Sequence, residues 1–575
     1  MFEHDDLIAL IRARVEAGGT DVALIAHNPA DPSTDTTLDY AALDREARRM
    51  AVFLGGRARP GDRVLLVHET ALGFARAFLG CLYAGMIAVP APQPDGFRRQ
   101  RERLASIARD ARVAVALCDP SGLDMLQEWA EEAGLGDLAC LAPDDLPAPE
   151  DWTRPETGPR TIAFLQYTSG STGGPKGVMV DHGNILANAE LFGAMTGASR
   201  TMRFGGWLPM YHDFGLIGML LIPLAHGAST VLMPPIAFVK RPHSWLHMID
   251  RYRVNLSPAP DFAYDLCVRR IKDDQIEGLD LSRWLYAVNG SEPIKAATLR
   301  AFGERFAAHG LPPTAMLPGY GMAEATLVIS GTRWTTGPVV TTVDAELLEK
   351  GEFVPAPDGR PLASSGVLEP GTIVVDPDTR RRLEDGAIGE IWIKGGHVAR
   401  GYWGQEEATR RVFGWETAGG DGGYLRSEDL GTIWDGQVYV TGRIKELLIV
   451  RGRNLYPQDL EAEVRAVHPA LSRGVGAVFA VPAPDEEVVV VQECRASDLG
   501  ELPAEELTQL IRHAMAREFG VSLGGVVLVR PSEVQRTTSG KIQRTLTRDL
   551  FRAGELDVVH EDLSPAVRRR YRTGA

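Results

Sequence analysis

Apolar and polar positions along the chain switch repeatedly between helical and strand spacing. Residues 40–54 repeat their apolar side chains at helical intervals, 63–67 form a short apolar run, and 71–84 return to helical spacing. Alternation of this kind predicts an α/β fold of layered sheets whose parallel strands are buried on both faces. Amphipathic helices are predicted over 185–195 and 296–309. From about 332 to 401 Pro and Gly become frequent and short strands, 372–375 and 390–394, sit between turns, as in a smaller β-rich subdomain. Beyond Gly442-Arg443 the pattern restarts with a helix at 458–467, strands at 475–481 and 488–493, and a helix at 504–519. That tail reads as a small α+β domain able to fold alone.

Residues 214–239 contain no Asp, Glu, Lys or Arg, and their number would span a bilayer. Pro223, His226, Gly227, Pro234 and Pro235 interrupt them, and each would break a spanning helix or expose unpaired backbone. A buried helix at 216–224 followed by a buried strand at 229–233 is predicted instead, with no stable membrane insertion.

Composition narrows the partners. A chain of 575 residues exceeds one ordinary domain, and a net charge of -15 disfavours nucleic acid. The arginine clusters at 98–103 and 568–572 read as solvated faces. Five well-separated cysteines form no C-x-x-C pair, which suits reduced thiols. The acidic start, Met1-Phe-Glu-His-Asp-Asp, is no signal peptide, so a cytoplasmic location is expected.

The chemistry concentrates in a few segments. Tyr167-Thr-Ser-Gly-Ser-Thr-Gly-Gly-Pro-Lys-Gly177 is a loop of small residues, Thr168, Ser169, Gly170, Ser171, Thr172 and Gly173 among them, whose open N–H groups suit an anion, with Lys176 as a cation beside it. Pro175 and Gly177 exclude a Walker A loop, and the flanking apolar runs predict strand–loop–strand. Pro318-Gly-Tyr-Gly-Met-Ala-Glu324 offers Tyr320 as a plate for a purine and Glu324 as a carboxylate for magnesium. Asp429 can accept ribose hydroxyls with Arg443 nearby, Lys541 lies on a glycine-containing loop, and Tyr211-His212-Asp213 places an imidazole at the edge of the apolar segment. Taken singly, each has an ordinary structural reading as a helix-end carboxylate, a turn aspartate, a surface lysine or a structural histidine.

Their order together resembles the adenylate-forming enzymes, the superfamily of acyl-CoA synthetases, luciferases and peptide-synthetase adenylation domains. The resemblance runs from about Thr37 to Leu550. Within that superfamily the chain is most similar to the fatty acyl-AMP ligases. The segments behind the narrower likeness are Trp207-Leu-Pro-Met-Tyr-His-Asp-Phe-Gly-Leu-Ile-Gly218, Pro258-Ala-Pro-Asp-Phe-Ala-Tyr-Asp-Leu266, Val288-Asn-Gly-Ser-Glu-Pro293 and Val450-Arg-Gly-Arg-Asn-Leu-Tyr-Pro-Gln-Asp459. Residues 331–366 sit where the family carries an insertion. Departures are Ser291 for the usual Ala, Ser427-Glu428 for Thr-Gly, Glu446 for Asp and Leu455 for His. None removes a charged catalytic group.

The resemblance implies an N-terminal adenylation domain over 1–442 and a mobile C-terminal domain over 443–575, hinged at Lys445. It implies ATP-dependent activation of a fatty acid to acyl-adenylate, with Mg2+, then transfer to the phosphopantetheine thiol of an acyl carrier protein. Thr168 to Lys176 would hold the departing phosphates, Glu324 the magnesium, and Asp429 with Arg443 the ribose. Tyr320, within Gly319 to Ala323 (Gly321 and Met322 included), would stack on adenine opposite Asn289, Gly290, Ser291 and Glu292. Lys541 and His212 are the expected catalytic side chains, and Leu216, Ile217 and Leu220 the expected acyl pocket. A fatty acyl-CoA ligase shares the first step and differs in the thiol. A module that binds without reacting is disfavoured because Lys541, Glu324 and Asp429 are all present.

Overall fold

Runs of β-branched and aliphatic residues, each followed by an amphipathic helix, fold into two layered sheets. The computed structural model describes residues 2–94, 98–168, 174–450, 453–483, 486–500, 502–537 and 541–572. The first sheet has six strands in the order Ala139–Leu141, Val115–Cys118, Arg63–Val67, Ile87–Pro90, Ile162–Thr168, Lys176–Asp181. All pairings are parallel except the last, an antiparallel hairpin joined by the glycine-rich loop. The second sheet has eight strands, ordered Val328–Gly331, Met316–Gly321, Tyr286–Asn289, Leu256–Ala259, Arg203–Gly206, Ser229–Leu232, Val22–Ala26, Thr36–Asp39. Its interior is parallel and only its two outer pairings are antiparallel.

The uncharged stretch is core. It forms helix Asp213–Leu216, a wide π turn over Ile217–Leu221, helix Ile222–His226 and strand Ser229–Leu232. The predicted helix and strand are both present; the π turn is not visible in the apolar spacing, because one added residue leaves an all-apolar run unchanged. Gly215 is required just before it: a Cβ there would lie 2.1 Å from the carbonyl oxygen of Pro209. No helix among the described residues is long and apolar enough to cross a membrane.

A five-stranded antiparallel sheet follows, with Thr372–Val375, Gly389–Ile393 and the long strand Gly422–Trp434 paired to Gln437–Arg443. Within 331–366, strands Val340–Val343 and Arg360–Ala363 form a two-stranded hairpin around helix Ala345–Glu349. Beyond Arg443, four strands (Gly476–Pro482, Glu486–Glu493, Leu523–Val529, Val558–Leu563) pack against helices Pro457–Ala466 and Ala504–Phe519. Two hydrophobic clusters there are built only from residues after Leu447. The cysteines are all free.

Candidate active site

A cavity of about 1600 Å³ lies where these units meet. The hairpin sets Thr168 opposite Lys176 on its wall. Ser169, Gly170, Ser171, Thr172 and Gly173 lie outside the described residues, as do Thr538, Ser539 and Gly540 beside Lys541. Strands Tyr286–Asn289 and Met316–Gly321 end at the cavity, the usual ligand edge of a parallel sheet. They bring Gly290, Ser291 and Glu292 beside Gly319, Tyr320, Gly321, Met322 and Ala323, with Glu324 next. Gly321 is needed at a bulge, since a Cβ would sit 1.8 Å from the Leu327 carbonyl oxygen. Asp429 and Arg443 face each other across the Gly422–Trp434 and Gln437–Arg443 ladder. Lys541 reaches the same wall from the far end of the chain.

Asp429 is the centre of one network. The Tyr320 hydroxyl donates to its Oδ2 at 2.7 Å and Arg443 Nε to its Oδ1 at 3.0 Å. Burial, with the Asp429 charge beside it, pushes the Tyr320 phenol far above its ordinary range. The Asp429 carboxylate likewise holds the Arg443 guanidinium in its charged form. Burial lowers Lys541 from its ordinary value; Asp213, Glu292 and Asp429 oppose that fall, and Arg443 adds to it. An ammonium set among three carboxylates and one guanidinium is positioned for a charged substrate.

His212 and Asp213 form a pair, with Nδ1 2.6 Å from Oδ1. Burial raises the Asp213 carboxyl, but the His212 ring, its hydrogen bond and Lys541 more than reverse this. Burial lifts Glu292 to about 7 although the Phe262 amide donates to it at 2.5 Å. Glu324 is raised by burial, and the Tyr402 hydroxyl, donating at 2.8 Å, pulls it back. The same tyrosine ring lies 5.0 Å beneath Lys176 Nζ. Tyr402 therefore ties the Glu324 carboxylate to Lys176 at the end of the glycine-rich loop. Sequence reasoning missed it; the only signal is an aromatic pair between glycines, Gly401-Tyr402-Trp403-Gly404.

Two expectations are not met by the placement of residues. Asn289 does not line the cavity: fully buried, it donates to Asp261 at 3.0 Å beneath the floor. Leu216, Ile217 and Leu220 are also fully buried and pack into the main core. A helix that is apolar all round turns every face to protein. The apolar wall comes instead from Phe192, Met195, Val288, Leu317, Leu327 and Val328.

Backbone strain marks the same region. Ser291 (φ 75°), Thr326 (φ 66°) and Glu428 (φ 60°) hold left-handed conformations unusual for residues with a Cβ. Ser291 and Glu428 line the cavity, and Thr326 ends the short turn carrying Glu324 while its hydroxyl donates to the His397 carbonyl at 2.7 Å. Lys445 Nζ donates to Glu428 at 2.8 Å.

Residues 11–403 match the AMP-binding enzyme family, and residues 445–561 match the Disco-interacting protein 2-like AMP domain. The medium-chain-fatty-acid–[acyl-carrier-protein] ligase JamA of Moorena producens is 39% identical over 91% of this chain and 91% of its own. A fatty acyl-adenylate ligase from L. pneumophila, solved with acyl adenylate and pyrophosphate, is 32% identical with a TM-score of 0.75, covering 98% of both chains. A structure from work on the fatty acyl-adenylate ligases of E. coli and L. pneumophila superposes with a TM-score of 0.86 at 30% identity, over 95% of this chain and 98% of that one.

Proposed function

This chain belongs to the AMP-binding enzyme family, and from that premise we propose that it activates a fatty acid with ATP and hands the acyl group to the phosphopantetheine thiol of an acyl carrier protein. The observation carrying this reading is that distant segments bring Lys176, Glu324, Asp429, Arg443 and Lys541 to one cavity. The fatty acid carboxylate attacks the α-phosphorus, the acyl–phosphate bond forms, and pyrophosphate leaves with the electron pair of the broken bond. Lys541 meets the negative charge shared by the carboxylate and the α-phosphate, while Lys176 meets the charge growing on pyrophosphate. Preorganised cations in a dry site supply most of such catalysis.

Asp429, oriented by Tyr320 and Arg443, receives the ribose hydroxyls, and Tyr320 to Ala323 face Gly290 to Glu292 across the base. Glu324 fits a magnesium ion: it is a half-buried carboxylate on the cavity wall, and Mg2+ commonly takes one or two carboxylates with its remaining ligands from phosphates and water. Among the described residues no cluster of three ligating side chains competes for it. When bound, the ion neutralises phosphate charge. The acyl chain lies against Phe192, Met195, Val288 and Leu317.

In the second step the thiol sulfur attacks the acyl carbonyl and AMP departs. Lys541 must first withdraw, by rotation of the segment after Arg443 about Lys445. The insertion at 331–366 touches that segment and restrains it.

The test is product mass after incubation with ATP, dodecanoic acid and either coenzyme A or an acidic holo carrier protein. Acyl-adenylate and pyrophosphate are expected without any thiol, and acyl-carrier on adding the carrier. Efficient acyl-CoA formation overturns the acceptor. Adenylation by Lys541→Ala at the parent's rate overturns the mechanism, because losing such a contact costs on the order of a hundredfold.

A further inference from the structure

The chain carries a net charge of -15, yet one side of the cavity mouth is basic. Helix Asp261–Arg270 lines the cavity with Phe262, Asp265 and Leu266 and ends at the rim with Arg269 and Arg270. Arg270 also lines a second, shallow concavity of about 400 Å³, together with Lys240, Arg241 and His243. The neighbouring helix Pro235–Lys240 leaves Ile236 and Val239 54% and 51% exposed. Its inward residue, Phe238, is fully buried and stacked 4.0 Å from the ring of Trp207, so the outward pair sits on a fixed base. Among the described residues Lys240, Arg241 and Arg270 form no ion pair. Three unneutralised cations beside two bare aliphatics form a ridge that nothing among the described residues covers.

We propose that this ridge is the docking surface for the carrier protein. The partner it fits is an acidic helix whose carboxylates face Lys240, Arg241 and Arg270 and whose apolar residue covers Ile236 and Val239. This rests on the carrier-protein reading above and gives it a location. Helix Asp261–Arg270 connects the ridge to the cavity interior, where the Phe262 amide meets Glu292. Ten residues of helix span roughly 15 Å, a path that an extended phosphopantetheine arm can follow. An anionic membrane would also favour cations beside aliphatics, but the chain's overall negative charge opposes a bilayer, whereas a small partner feels the local field.

The test compares the parent with Lys240→Glu/Arg241→Glu and, separately, Ile236→Ser/Val239→Ser. A panel of acidic holo carrier proteins, free pantetheine and anionic phospholipid vesicles serve as probes. For any carrier the parent acylates, both variants are expected to raise KM about tenfold or more, the charge variant also flattening the parent's decline in kcat/KM with salt. Pyrophosphate release without thiol and acylation of free pantetheine stay at parental values, which shows that the cavity is intact. An unchanged carrier KM overturns the ridge, as does an equal loss toward free pantetheine. Vesicle binding lost in the variants while carrier kinetics stay unchanged assigns the surface to membrane instead. A parent that forms acyl-adenylate and loads coenzyme A, but no member of the panel, overturns the carrier reading and the ridge with it.

Discussion

At the residue scale, Tyr402 and Glu292 decide how the site behaves with pH. Burial raises Glu324 and the Tyr402 hydroxyl opposes it. Tyr402→Phe keeps the ring under Lys176 but removes that hydrogen bond, so Glu324 titrates higher. The acid limb of kcat/KM should move to higher pH, and the magnesium requirement should rise roughly tenfold, as expected for a hydrogen bond to a charged group. An unmoved limb would separate Tyr402 from Glu324. Glu292, lifted by burial from its ordinary 4.5 to about 7, acts on stability. Across that window the folded protein holds a proton that the unfolded chain has released, so this group's contribution is present at the acid end and lost as pH rises. Glu292→Gln should therefore gain melting temperature over the parent progressively from about pH 5 to about pH 8. A constant difference across that range counts against it. Lys541, Asp429 and Glu324, each with an ordinary structural reading when taken singly, were picked out by the order of their motifs and the family resemblance, and the structure brings all three to one cavity. Tyr402 was not picked out, because its two contacts exist only once the strand pair and the following turn are brought together.

At the scale of elements, periodicity placed helices and strands well where one face is buried: residues 40–54 became Tyr40–Gly55, and 504–519 became Ala504–Phe519. It could not separate a cavity wall from a core where every position is apolar, and so Leu216, Ile217 and Leu220 misled while Phe192 and Met195 went unnoticed. Nor could it show what the insertion touches. Arg360 in its hairpin pairs with Asp459 at 2.5 Å, and Arg453 Nε donates to Glu349 at 2.6 Å. Tyr456 completes a small core with Val343, Leu348 and Phe353. These contacts tie residues 331–366 to the segment beyond the proposed hinge. Burial raises Asp459 to about 6, with Arg360 opposing it. Arg360→Ala should free the C-terminal segment, seen as faster acylation of free pantetheine with adenylation unchanged. Its destabilisation should shrink as pH falls through about 6, where Asp459 becomes neutral and no longer needs the cation. Equal pantetheine rates in parent and variant would remove the insertion's restraining role.

At the scale of the whole molecule, the proposed two-step mechanism needs the present arrangement, with Lys541 in the cavity, and another without it. The residue bonded to the proposed hinge is Glu428, which stands where the resembling family has Gly and adopts φ 60°. Its partner Lys445 is the proposed hinge, with the two side chains 41% and 42% exposed. Glu428→Gly relieves left-handed strain worth about 1 kcal/mol. The added freedom of glycine in the unfolded chain costs roughly 0.5–1 kcal/mol, and losing a half-exposed ion pair costs about 0–1 kcal/mol. These terms nearly cancel, so the melting temperature should barely move. Kinetics should respond, because the ion pair exists only while Lys445 stays in its present short helical turn, Ile444–Glu446. Single-turnover measurement should show acyl-adenylate formation unchanged in Glu428→Gly and thioester formation faster than in the parent. Glu428→Gln, which keeps the left-handed residue but drops the charge, separates the two causes: it should share the kinetic gain and lack the strain relief. If both variants transfer the acyl group at the parental rate, the pair does not gate the rotation, and the restraint lies in the insertion contacts alone.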